Sequence, residues 1–194
     1  MNLPQRIFFT GVPGSRWSSI AQLMEQLPIF NTSDRSPERE YSHNEFSGHK
    51  GAYFGRGMEF EALLSSAHLD LPFASHDRTR LIKSHEWAEQ LHSVERLFPD
   101  DWIMLVYRPD LASYAWWHEA GGFKITYPEY SHYSSSEELL AAIVRQNKAI
   151  LAFAAERNAI WHHFSPTWIF ETFGYGGVKI QKPYTDVLVT IIKS

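Results

Sequence analysis

The chain contains no cysteine, which removes disulfides, thiolate metal sites and thiol nucleophiles and is compatible with a reducing compartment. It has no large excess of one charge. Eighteen Lys and Arg stand against 22 Asp and Glu, a formal net charge of −4, so nothing draws it generally to nucleic acid or acidic membranes, and any polyanion must bind in a local pocket. No apolar run approaches the roughly 18 residues of a spanning helix. The start, MNLPQRIFFTG, has too short an apolar stretch for a secretory signal and turns at once into Gly and Pro. There is no internal repeat and no obvious interdomain linker. These absences lead to the expectation of a soluble, cytoplasmic protein with no nucleic-acid or membrane partner.

What is present suits a globular protein. The 194 residues are 44% apolar and 21% charged, enough to bury a core but too few for two full-sized domains. The pattern predicts a single domain over 1–194. Arg6 to Thr10 (RIFFT) reads as a strand covered on both faces, because it is β-branched and aromatic without polar alternation. A turn, Gly11-Val12-Pro13-Gly14, follows, and then apolar residues at helical spacing from Ser18 to Leu27, before Pro28. Met58 to His68 reads as a helix, Arg80 to Ser84 as a short buried strand and Glu86 to Phe98 as a further helix. Trp102 to Tyr107 is the clearest buried strand, leading into a helix from Asp110 to about His118. A long helix capped at Ser136 runs to about Arg157, a short one runs from Ser165-Pro166 to Phe173, and a last strand spans Val187 to Ile192. Strands alternating with helices predict an α/β layered fold with a mainly parallel sheet. Two long polar or aromatic loops, at about 31–57 and 119–135, exceed the usual connection length and are expected to be functional.

Three groups of residues fall at predicted strand ends, where open α/β sheets bind ligands. The first is G-V-P-G-S-R-W-S-S at 11–19. A Gly-rich loop between a buried strand and a helix aims backbone N–H groups and the positive helix end at one point, an anion site. A nucleotide-triphosphatase loop would read G-x-x-x-x-G-K-[ST]; counted from Gly11, Arg16, Trp17 and Ser18 stand where Gly, Lys and Ser should be. A plain βα turn is the other reading of this loop. The second group is L-I-K-S-H at 81–85. Lys83 and His85, two apart on an extended segment, point to the same side and pair a permanent cation with a base that titrates near neutrality. The bland alternative is a surface Lys and a capping His. The third is V-Y-R-P-D-L-A-S-Y at 106–114, where Arg108 can hold a phosphate through its bidentate fork or simply pair with Asp110. All three groups lie on one edge of one predicted sheet.

In this order the three groups resemble the sulfotransferases that use 3′-phosphoadenosine 5′-phosphosulfate (PAPS). That family's 5′-phosphosulfate loop has the form P-[KR]-S-G-T-[TS], its catalytic strand often reads L-I-K-T-H, and its 3′-phosphate segment reads R-x-P-x-D-x-x-x-S. The resemblance spans roughly residues 5–120 as spaced motifs. It implies a three-layer P-loop-like fold with a central mainly parallel sheet flanked by helices. It further implies transfer of a sulfuryl group from PAPS to a hydroxyl or amine, leaving 3′-phosphoadenosine 5′-phosphate (PAP), with no metal required. On this resemblance His85 is the general base and Lys83 neutralises the bridging or leaving oxygen. Pro13, Gly14, Ser15, Arg16, Trp17, Ser18 and Ser19 hold the 5′-phosphosulfate, and Arg108 and Ser113 grip the 3′-phosphate. The chain departs from the pattern in four ways. Gly14 stands where the loop cation usually precedes the Ser. The third segment is shortened, leaving Ser113 and Tyr114 as rivals. The late R-K-G motif is missing, with 174–179 (GYGGVK) in its place. The chain is also shorter than is usual for the family.

The acceptor is expected to be a small molecule or a glycan. Tyr41, His43, Phe46, His49, Tyr53 and Phe54 in one loop, and Tyr114, Trp116, Trp117, Phe123, Tyr127, Tyr130 and Tyr133 around the other, are candidates to stack on it or on adenine. For any one of them, core or loop packing is the better reading. Lys50, Arg56 and Lys124 would suit an acidic acceptor. The histidines, including the adjacent His162-His163, lack the spacing of a metal motif. The rival functions are a P-loop kinase or nucleotide hydrolase, and a noncatalytic nucleotide- or glycan-binding module.

Overall fold

The computed structural model describes residues 3–24, 26–31, 65–70, 73, 77–124, 134–180 and 184–193. Most of the loop at 31–57, most of the helix expected from Met58 and the centre of the second loop lie outside these residues. So do all the acceptor candidates of the first loop and Tyr127, Tyr130 and Tyr133.

Six strands form one sheet in the order β2-β3-β1-β4-β6-β5. They are β1 (Arg6–Gly11), β2 (Phe30–Asn31), β3 (Thr79–Lys83), β4 (Trp102–Tyr107), β5 (His162–His163) and β6 (Leu188–Ile192). Both flanking pairs of β1 are parallel, as is β2 with β3. β6 runs antiparallel to β4, and β5 antiparallel to β6. The α/β class expected from the sequence is what forms, with a mixed sheet.

β1 is buried along its whole length because both faces of the sheet are covered, and successive residues divide between two cores. Phe8, Ile82, Ile103 and Leu105 pack with α3 (Leu91–Leu97), α4 (Asp110–Glu119) and α5 (Ser136–Glu156), and with Leu69 of α2 (Ser66–Asp70). Ile7, Phe9, Leu81, Met104 and Val106 pack with α1 (Trp17–Met24) and α6 (Pro166–Phe173). No helix among the described residues is long and apolar enough to cross a membrane.

Two expectations shift. The helix expected at 86–98 is a 3₁₀ turn, Glu86–Glu89, followed by α3, because Gln90 adopts φ −123° and ψ 12° between them. Trp87 holds the 3₁₀ turn to the sheet by donating its indole N–H to the Ile82 carbonyl at 3.1 Å. The cap of α5 is Ser135, one residue earlier than expected, its hydroxyl accepting from the Glu138 N–H. At α6 the cap falls as expected: Ser165 accepts from the Trp168 N–H, Pro166 opens the helix, and Gly174 closes it in the left-handed region at φ 76°.

The antiparallel flank determines what reaches the binding edge. β5 ends at the carboxyl edge of the parallel strands, since His163 pairs with Leu188 and Leu188 with Tyr107. α6 leaves from that edge. Residues 184–187 lie at that edge, since β6 begins there opposite Tyr107, and so Tyr184 and Asp186 stand beside the ends of β1 and β4.

Candidate anion-binding site at the carboxyl edge of the sheet

The glycine turn is wedged between β4 and α4. The Ser15 N–H closes it by donating to the Val12 carbonyl at 3.0 Å. Gly14 has φ +74°, and a Cβ there would lie 1.9 Å from the Ser113 carbonyl oxygen, so both the conformation and the contact demand glycine. A Cβ on Gly11 would meet the Ser15 hydroxyl at 2.7 Å. Arg16 then takes φ 67°, and its carbonyl accepts the Ile20 N–H at 3.0 Å as α1 starts. The first N–H groups of α1 have no partner within the helix, as at any helix start. The buried Ser15 hydroxyl has no hydrogen-bond partner among the described residues. Pro13 and Trp17 are buried in the turn and helix start, and the Ser18 side chain lies outside the described residues.

Two guanidinium groups meet over this turn. Arg108 follows β4, whose Met104 and Val106 face α1 and α6, and alternation sends it the same way. Its Nη1 donates to the Gly14 carbonyl at 3.0 Å. Its Nε and Nη2 lie 2.6 and 2.5 Å from Asp186 Oδ2. Asp110, the alternative partner weighed for Arg108, accepts from the Asn147 amide at 2.6 Å, and the same amide donates to the Arg108 carbonyl at 2.9 Å. Ser113 is fully buried and its hydroxyl donates to that carbonyl at 3.3 Å. Ser113 thus reaches the site as a brace for Arg108, not as a group facing a ligand. Its rival Tyr114 is half-buried, with its ring centroid 4.6 Å from that of His118.

Arg16 lies between two aromatic rings, its guanidinium carbon 4.1 Å from the centroid of Trp116 and 5.2 Å from that of Tyr184. Arg108 approaches the same Trp116 ring at 5.5 Å. The Arg16 Nε is buried and has no hydrogen-bond partner among the described residues. Burial pushes the Arg16 pKa down, and the neighbouring Arg108 charge pushes it the same way. Tyr184, hydrogen-bonded to the Ser19 side chain, is pushed up by burial. Among the described residues Asp186 is the one carboxylate bonded to either guanidinium, while Glu119 acts on Arg16 through its charge alone. Two half-desolvated guanidiniums sharing one bonded carboxylate are what an anion stabilises.

Lys83 ends β3 beside Phe9 and is 2% exposed. Leu81 faces α1 and α6, and alternation puts Lys83 on that same face. His85 also reaches this face, but both ring nitrogens are engaged. Trp17 donates its indole N–H to His85 Nε2 at 3.0 Å, which requires the proton on Nδ1, and Nδ1 donates to the Gly11 carbonyl. The expected general base is therefore a neutral imidazole that ties β3 to the glycine turn. Accepting a proton from a substrate would require Nε2 to release Trp17, which is itself buried in the α1 core.

Arg16, Arg108, Lys83 and the glycine turn were all visible as candidates in the sequence. Asp186, Tyr184 and Asn147 were not. Asp186 precedes a run that reads as a strand, but only the direction of that strand decides which edge its acid occupies. Compared with known proteins, the chain matches no family model, no curated protein and no solved structure.

Proposed function

We propose that this edge binds PAPS and that the protein transfers its sulfuryl group to an acceptor hydroxyl or amine, on a fold of P-loop type. The observation that carries this reading is the 3.0 Å bond from the Arg108 guanidinium to the Gly14 carbonyl, with the unpartnered Arg16 Nε beside it. Cations from two separated strand ends thereby converge on one glycine turn, as a donor charged at both ends of its adenosine requires. In this reading Arg16 and the first N–H groups of α1 take the 5′-phosphosulfate. Arg108 takes the 3′-phosphate in exchange for Asp186, and Lys83 neutralises the oxygen that leaves with PAP. The acceptor oxygen forms a bond to sulfur as the bond from sulfur to the bridging oxygen breaks; PAP keeps that electron pair. The acceptor proton passes to His85 Nε2 once Trp17 has moved, or to water. Positioning and charge stabilisation carry such an in-line transfer.

The engaged nitrogens of His85 favour a second reading, a binding module for the same nucleotide without turnover. A P-loop kinase is less well supported, since Trp17 stands where its loop lysine should be. Thermal unfolding with added ligand separates the three. PAP raising the midpoint without magnesium, followed by labelled sulfate transfer from PAPS, supports the transferase. The PAP shift without transfer to any of a panel of acceptors supports the module. A shift with ATP and magnesium but none with PAP overturns both. If transfer occurs and a His85→Ala variant retains it in full, His85 is not the proton acceptor.

A further inference from the structure

The longest helix, α5, has two stripes. On one side Leu139, Ile143, Ile150 and Phe153 are buried in the same core as Phe8 and Leu105. On the opposite side a surface helix ordinarily turns polar residues to water. Here that side carries Glu137, Ala141, Val144, Lys148, Leu151 and Ala155, all of them exposed, Val144 by 44% and Leu151 by 38%. Successive members are alternately four and three residues apart, the heptad spacing that keeps a seam continuous when two helices lie along each other. Four of the six are apolar. The other two carry opposite charges, and among the described residues neither has an ionic partner.

We propose that this stripe joins two copies of the chain, with α5 of one lying antiparallel on α5 of the other. The charges select both the partner and the direction. Two parallel helices in register would set Glu137 on Glu137 and Lys148 on Lys148, repelling at both places. Antiparallel helices related by a two-fold axis passing between positions 142 and 143 set Glu137 of each copy against Lys148 of the other. Between those two ion pairs Ala141 of each copy then meets Val144 of the other, also twice. Leu151 comes to the amino end of the second helix, beside the Ser135 cap. The stripe is thus its own complement, which a two-fold contact between identical surfaces requires; a different protein would fit it only by repeating the same pattern. A charge at two seam positions fixes the register at some expense of affinity. One helix pair also buries little more than the roughly 1,000 Å² at which specific contacts begin, so the dimer forms and dissociates with concentration. Neither the donor reading nor the anion site enters this inference.

Sedimentation velocity of the whole protein, from about 5 to 500 µM, should show the mass rising from 22.5 kDa toward twice that value. Lys148→Glu and Glu137→Lys should each weaken association by about tenfold or more, because either one places like charges at both ends of the seam. The double variant should recover the association of the unmodified protein to within about threefold, since it restores opposite charges in the antiparallel register alone. Val144→Asp should leave the protein monomeric across the range. These side chains are exposed, so each variant is expected to keep a cooperative urea transition, and recovery in the double variant is an outcome that misfolding cannot produce. A mass that stays at 22.5 kDa at every concentration overturns the proposal and leaves the stripe to a different partner. A dimer indifferent to both single reversals, or one that the double reversal fails to restore, is held by another surface and overturns it as well.

Discussion

Arg16 pays in backbone strain for its position, since a non-glycine residue at φ 67° lies where Cβ crowds the following carbonyl. Its side chain gains two aromatic faces and lies beside a second cation. Arg16→Ala is therefore expected to lose stability, because it keeps the strain and loses the ring contacts. Arg16→Gly removes the strain, and urea unfolding should find it more stable than the Ala variant by about 1 kcal/mol. Both should lose the PAP thermal shift. An Ala variant as stable as the Gly variant would show that the residue does not hold its left-handed conformation in solution. Asp186 poses the complementary case. It neutralises Arg108 from a side chain 39% exposed, so it competes with any incoming phosphate for that guanidinium. Asp186→Asn should tighten PAP binding by about fivefold or more, measured by calorimetry at low salt, with the gain shrinking as salt screens it. Weaker binding in this variant would mean that Asp186 is needed to hold Arg108 in place.

At the scale of elements, α3 and α5 are joined by Arg157, which follows α5 and bonds Glu95 through two guanidinium nitrogens while its carbon stands 3.4 Å from the Phe153 centroid. The hydrogen bond from Arg157 holds the Glu95 carboxyl below its ordinary value of 4.5. A depressed acid stabilises the folded state above its unfolded pKa, and the contribution disappears as pH falls through the folded value. Glu95→Gln should thus cost about 0.5 kcal/mol near neutrality, given the partial exposure of the pair, and nothing once both states are protonated. Urea midpoints of the two proteins that fail to converge in acid would refute this. The elements themselves were largely legible. Apolar runs marked β1, β3 and β4, and Ser165-Pro166 marked the start of α6, because burial on both faces and helix capping are local in cause. The break at Gln90 was not legible: the apolar spacing of 86–98 runs through it, and what divides the helix is the Trp87 indole reaching back to the Ile82 carbonyl. β2 and β5, two residues each, carry too little pattern to detect; they exist because neighbouring strands supply hydrogen-bond partners.

Across the whole molecule the two edges of the sheet divide the work, and this division was only half legible. Strands alternating with helices led to a mainly parallel sheet, and with it to the correct edge for Gly14, Lys83, His85 and Arg108. Strand direction depends on where the chain goes between elements, which is why the place of Tyr184 and Asp186 at that edge was not legible. The opposite, amino edge is a network of buried charge. Arg6 bonds Asp70 through Nε and Nη2 at 2.9 and 2.7 Å and Asp101 at 3.0 Å, and Arg80 Nη1 reaches Asp70 at 3.0 Å. The hydrogen bond that Arg6 donates to Asp70 is the largest influence raising the Arg6 pKa. One carboxylate thus serves the amino ends of β1 and β3 together, and the Nε of Arg80, 3% exposed, has no hydrogen-bond partner among the described residues. Asp70→Ala would leave two guanidiniums short of a counter-charge away from water, so it is expected to lower stability by about 3 kcal/mol. The same variant, in its folded fraction, should bind PAP with unchanged affinity, because the network stands at the far end of the strands from the glycine turn. Gly14→Ala should do the reverse on binding, abolishing the PAP shift by forcing the turn off the Ser113 carbonyl. If calorimetry on folded Asp70→Ala found PAP binding lost as well, the edges would be coupled, and the carboxyl edge would owe its geometry to charge at the other end of the sheet.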